Sequence, residues 1–136
     1  MAKYKSNAMK AKRDLFKREK RALHSAGIVI QKHVTRNINM LHIVDTGRLK
    51  GSYGFKINMK KLTVYNGTNV DYAGYHEFGT GIFAEGGHGR KTRWAFQLPS
   101  GVWVSTEGMI ARPHLRPAYT KNVDEIQRVM QRELAK

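Results

Sequence analysis

The residues of this chain that could do chemistry gather in its middle. His76-Glu77-Phe78-Gly79-Thr80 begins like the zinc-protease pattern HExxH, in which two histidines one helical turn apart on one face hold the metal. The second position here is Thr80, so the ligand pair is incomplete, and His76 and Glu77 read as polar surface on a short helix. Gly79-Thr80-Gly81-Ile82-Phe83-Ala84 fits a G-x-G-x-x-A dinucleotide fingerprint letter by letter. That loop works only between a buried strand and the amino end of a long helix, whereas here Glu85-Gly86-Gly87 follows. No glycine-rich stretch ends in Gly-Lys-Ser or Gly-Lys-Thr. Glu77, Glu85 and Glu107 could meet around the glycine loop, and with His88 or His114 a nuclease-like set is conceivable. No spacing favours such a set over exposed charge. The expectation is a protein without catalysis, metal or cofactor.

Charge is the stronger signal. Of 136 residues, 25 are Lys or Arg and 10 are Asp or Glu, a formal net charge of +15. Within residues 1–25 nine basic residues face only Asp14 and Glu19, which leaves +7. Lys10, Lys12, Arg13, Lys17, Arg18, Lys20 and Arg21 could therefore meet DNA, where each lysine on a phosphate releases counterions, or an acidic protein. The plain alternative is a solvated helix face, since Tyr4 and Phe16 are the only aromatics before residue 25 that could stack on bases. Cysteine is absent, which excludes disulfides and thiolate metal sites and suggests synthesis in a reducing cytoplasm. Apolar runs such as Ile28-Val29-Ile30 are far shorter than the roughly 20 residues that cross a bilayer. No apolar h-region follows the basic start, so a secretory signal is not expected.

These residues need elements to position them, and the length suits one domain over 1–136, with 1–25 as a basic, projecting helical segment. Apolar residues recur at Phe16, Leu23, Ala26, Ile30, Val34, Ile38 and Leu41, one face of an amphipathic helix from about Asn7 to about Asn39. Such a helix would be roughly 50 Å long, against a body of roughly 35 to 40 Å. Either it breaks near Gly27 or its lysine-rich first turns project toward a partner. Val44 to Leu49 reads as a turn, and two strands follow at about Leu49–Asn58 and Lys61–Asn66. Asp71 could cap a short helix Tyr72–Phe78 that Gly79 ends. Gly86-Gly87-His88-Gly89 reads as a mobile loop tip before a hairpin, Thr92–Leu98 and Val102–Thr106, whose Trp94 and Trp103 read as core or interface anchors. Pro117 suits the first turn of a last amphipathic helix through Tyr119, Val123, Ile126, Met130 and Leu134. The order α-β-β-α-β-β-α describes an α+β fold with an antiparallel sheet.

Three segments in this order carry a family resemblance: Asp45-Thr46-Gly47-Arg48-Leu49, then Tyr72-Ala73-Gly74-Tyr75-His76-Glu77-Phe78-Gly79-Thr80, then Ala111-Arg112-Pro113-His114-Leu115-Arg116-Pro117-Ala118. They resemble the small neck proteins of long-tailed bacteriophages, the head-tail joining or tail-completion proteins related to minor tail protein Z. The family pattern is a D-T-G-x-L turn, a Y-x-x-x-x-E-F-G-T helix end and an A-R-P-F-L-R-P-A lead-in to the last helix, with His114 standing here for the usual Phe. The resemblance spans roughly residues 7 to 135, and residues 86–108 correspond to a variable insertion. It implies a structural virion protein between the head-closure connector ring and the tail terminator and tail tube. It further implies a homo-oligomer, a hexameric ring around the DNA path, with non-specific DNA contact, no membrane and no catalysis. The motif residues expected to hold the fold or its interfaces are Asp45, Thr46, Gly47, Arg48, Leu49, Tyr75, Glu77, Phe78, Gly79, Thr80, Arg112, Pro113, Leu115, Arg116 and Pro117. Among them Glu77 to Thr80 should pack against Arg112 to Pro117, with Arg112 as the partner of Glu77.

Overall fold

The computed structural model describes residues 2–43 and 47–136. A single helix, α1 (Ala2–Met40), forms the spine; its 39 residues make it about 58 Å long. It does not break at Gly27, because that glycine serves a close approach. A Cβ there would lie 2.5 Å from Cδ2 of Phe55, and the Asn66 side chain donates to the Gly27 carbonyl at 3.1 Å. The helix closes with His42 at φ 54° and the Ile43 amide reaching back to the Ile38 carbonyl, a termination that satisfies the last carbonyls.

After Gly47 (φ 81°) comes a short helix, α2 (Arg48–Ser52), where a strand was expected to begin. The Gly51 amide bonds the Gly47 carbonyl and turns Leu49 into the core. The strands β1 (Gly54–Asn58) and β2 (Thr63–Gly67) pair antiparallel, with Ile57 opposite Val64. Next is α3 (Ala73–Phe78); Asp71 does not cap it, since Tyr72 holds the cap position without a side-chain bond. Two short turns of 3-10 helix, Gly81–Phe83 and Glu85–Gly87, precede β3 (Trp94–Gln97) and β4 (Trp103–Thr106). The strands form two separate two-stranded sheets rather than one. Gly86 to Gly89 precedes the second hairpin, whose turn lies at Pro99-Ser100-Gly101, and Gly89 packs on the Gly81 carbonyl. The last helix is split into α4 (Arg116–Thr120) and α5 (Val123–Ala135), with Pro117 in the first turn of α4. Tyr119 is left exposed.

The core forms where α5, α4 and the β1–β2 hairpin pack on α1, with Leu49 of α2 and Ala73 of α3 joining it: Ala26, Val29, Ile30, Val34 and Ile38 of α1 cluster with Ile43, Leu49, Tyr53, Val70, Ala73, Ala118 and Ile126. Helix α5 lies antiparallel on α1, since Glu125 reaches Lys32 and His33 while Glu133 reaches Arg21. Phe16, expected on the core face, lies beyond the end of α5 and is half exposed. Among the described residues no helix is long and apolar enough to cross a membrane.

Candidate functional site

Helix α3 has only six residues, and Ala73 and Glu77, which a spacing of four puts on one face, are both buried. Glu77 is therefore not the surface residue its sequence context suggested; it is 4 % exposed. Its Oε2 accepts the backbone amides of His114 and Leu115 at 2.8 and 3.0 Å, and its Oε1 accepts the amide of Arg116 at 3.0 Å. Arg116 Nε completes the set at 2.9 Å. These donors lie at the start of α4, whose first amides have no partner within the helix, so a carboxylate 39 positions upstream caps it.

The partner of Glu77 is Arg116, not Arg112. The Arg112 side chain is exposed, and its backbone amide bonds the His76 carbonyl at 2.6 Å. Arg116 spreads as a planar fork over three acceptors: the Glu77 carboxylate, the Glu77 carbonyl and, through both terminal nitrogens, Glu85. Its guanidinium also covers the Phe78 ring at 4.6 Å. Burial alone raises the Glu77 pKa, but the backbone amides of Leu115, Arg116 and His114 and the Arg116 side chain outweigh it, and the net shift is downward. The Arg116 hydrogen bond likewise lowers the Glu85 carboxyl.

His114 lies below this carboxylate, fully buried. Its Nδ1 faces the Arg112 carbonyl at 3.2 Å and Glu77 Oε2 at 3.3 Å, both acceptors. Nδ1 is thereby assigned as the protonated nitrogen, and Nε2 accepts from the Tyr53 hydroxyl at 2.6 Å. Burial first, and the Glu77 charge second, push the Tyr53 phenol up to about 12, so it keeps the proton it donates. Asn37 of α1 donates to the His114 carbonyl at 3.0 Å, fastening the 112–116 segment to the spine. Tyr53→Phe strands Nε2 and should cost about 1–3 kcal/mol, while Tyr53→Phe with His114→Phe should cost less than the two single losses summed. Urea unfolding of the three variants checks this; strictly additive losses would contradict a paired bond.

The same two segments zip further along. The Arg112 amide meets the His76 carbonyl, Thr80 exchanges bonds with Met109 through its amide and hydroxyl, and the Ile82 amide meets the Glu107 carbonyl. Both ends of the 83–106 excursion are thus pinned together. Within it, Arg93 pairs with Glu107 and Arg90 lies over Trp94. Trp103 is 67 % exposed and Phe96, Leu98 and Val102 are also open, so this hairpin adds nothing to the core.

The motif residues divide by place. Asp45 and Thr46 lie outside the described residues. Gly47 takes the left-handed conformation that starts α2, Leu49 is buried, and Arg48 and Tyr75 are exposed. Glu77, Phe78, Gly79, Thr80, Pro113, Leu115, Arg116 and Pro117 come together around the Glu77 carboxylate and the paired segments. Gly79 (φ 76°) ends α3 where a Cβ would lie 2.7 Å from the Phe83 carbonyl. On α1, Lys10, Lys12, Arg13, Lys17 and Lys20 are exposed, Arg18 is partly covered, and Arg21 reaches Glu133 at 3.6 Å. The roles of Tyr53 and Asn37 had no sequence signal, because their partners lie 61 and 77 positions away, whereas Glu85, grouped with Glu77 around the glycine loop by sequence, meets it through Arg116. Chemically, Glu77 has both oxygens taken by four donors, and Glu85 and Glu107 each hold an arginine. The cluster binds the chain to itself.

Residues 2–79, which are 78 of the 136, match the protein-family model described as "Bacteriophage HK97-gp10, putative tail-component". No curated protein and no solved structure matches. The matched stretch runs from α1 through α3, so it contains Glu77 but not the 112–116 segment that holds it.

Proposed function

This chain belongs to the HK97-gp10-like family of bacteriophage tail components, and from that premise we propose that it works at the virion neck, joining the DNA-filled head to the tail. The observation that carries the joining role is α1. Its first turns run past the body of the domain, with residues 7–17 all exposed, and an element too long for its own domain is what a subunit offers to neighbours. The neighbours in this reading are further copies of the chain in a ring, which is hexameric by the family resemblance, with the head-closure connector on one side and the tail terminator on the other. A net charge of +15 suits a ring around the DNA path, where it draws non-specific contact. The exposed hairpin β3–β4, with Trp103 and Val102 open, provides a second surface toward a neighbour.

The Glu77–Arg116 cluster has a supporting role here: it fixes α3, the hairpin base and α4 to one another, so that surfaces on opposite sides of the subunit keep a set geometry. Electron microscopy of lysates from a phage lacking this gene tests the reading. Separate filled heads and finished tails are expected; intact joined particles would refute it.

A second reading, a DNA-binding protein that acts through the basic half of α1, is favoured only by that charge. It predicts joined particles with altered packaging or expression.

A further inference from the structure

We propose that the exposed seam of α1, centred on Met9, Lys12, Leu15 and Phe16, is the docking surface for an acidic amphipathic helix of another virion protein. This deepens the reading above and rests on it.

The seam is the continuation of the core face. Met9, Phe16, Leu23 and Ile30 follow at steps of seven, as do Ala8, Leu15, Ala22 and Val29, and at 3.6 residues per turn each series stays close to one line. Where α5 covers this face, Ala22, Leu23, Val29 and Ile30 are buried; beyond it Met9, Leu15 and Phe16 are 60, 52 and 50 % exposed. Glu133, in the last turn of α5, marks the last coverage at Arg21. About three turns of apolar helix face are therefore uncovered, roughly 16 Å.

The covered part shows what the uncovered part would take. A third series of sevens, Lys12, Glu19, Ala26 and His33, runs between the other two. His33 is buried and meets Glu125 of α5 at 2.7 Å, with Lys32 on the same carboxylate at 3.0 Å. A helix therefore packs on this face by setting its apolar side on the seam and a carboxylate against the basic side chains His33 and Lys32. Lys12 belongs to the same series as His33, three sevens earlier, and shares the surface around Phe16 with Arg13, Lys17 and Lys20.

The two other occupants fit less well. A second copy laid along the same segment would oppose seven basic residues, against only Asp14 and Glu19, to an equal set, and like charges at close range repel. DNA would satisfy the lysines but leave Met9, Leu15 and Phe16 in water.

Photo-crosslinking in assembled virions tests the proposal, with p-benzoylphenylalanine in place of Phe16, an exposed position that leaves the core untouched. Adducts are expected on one segment of a different virion protein, a segment with apolar residues at helical spacing and a net negative charge. Adducts on DNA or on any segment of a second copy of the chain, or no adduct in virions that contain the chain, overturn the docking surface alone. Absence of the chain from purified virions overturns the joining role as well. In parallel, Leu15→Glu with Phe16→Glu should lower incorporation into virions roughly ten-fold or more, as loss of two central apolar contacts implies, while thermal unfolding of the free protein stays unchanged. Incorporation at the normal level would also overturn it.

Discussion

Glu77→Ala is expected to destabilise the protein by about 3–5 kcal/mol, the range for removing one partner of a buried, hydrogen-bonded ion pair. The loss strands three backbone amides and the inner side of Arg116 at once. For a domain of this size that corresponds to a fall in Tm of roughly 10–20 °C. Arg112→Ala should change little, because that side chain is exposed.

Glu77→Gln separates charge from shape, and its pH dependence has a defined sign. The folded protein holds Glu77 below its ordinary value of 4.5, so the unfolded chain takes up its proton first as acid is added. The stabilisation is complete above that ordinary value and is lost as pH falls through the lowered one. Wild type should therefore exceed the Gln variant at neutral pH and approach it in acid. A constant gap across that range in urea titrations would show that the Glu77 charge is not what caps α4.

The second large effect is expected at the base of the hairpin. Gly81 sits at φ +62°, and a Cβ on it would lie 1.9 Å from the Glu107 carbonyl oxygen; from the other side a Cβ on Gly108 would lie 2.1 Å from the Thr80 carbonyl. Both obstacles are backbone, so neither can move aside without parting the two segments. Gly81→Ala thus combines a left-handed cost of about 1–2 kcal/mol with overpacking of about 1–3 kcal/mol. The excursion between the pinned ends should open. Trypsin has Arg90, Lys91 and Arg93 to cut there, and cleavage at those sites should be at least roughly ten-fold faster, as about 1.4 kcal/mol of added opening implies. Gly87→Ala is the control: its φ is +72° but no atom lies within 4 Å of the added carbon, so only the conformational cost applies. Equal proteolysis of the two variants would mean that the close approach is not what holds the hairpin.

The long helix was legible because its apolar residues keep a 3.6 period over about seven turns, and the period is a property of neighbours in sequence. Its continuity through Gly27 was not, since the reason is the Phe55 ring, 28 positions on. The same limit governs the cluster. Glu77 and Arg116 both stand in recognisable motifs, yet which arginine meets the carboxylate depends on how the turn at Pro113 aims them. Burial of Glu77 follows from its spacing of four from Ala73, which puts both on the buried face of α3. The two hairpins were found by alternation and turn residues, but whether four strands join one sheet is decided by what lies between them. Here α3 and two glycine turns keep them apart.

Membership in a tail-component family and a helix that outruns its domain converge on a structural part of the virion, and cryo-electron microscopy of intact particles tests that most directly. At the head-tail junction the account predicts density for a body with a helix about 58 Å long, its basic first turns in contact with a neighbouring protein. A junction fully accounted for by other chains, in virions from which mass spectrometry recovers no peptide of this one, would contradict it.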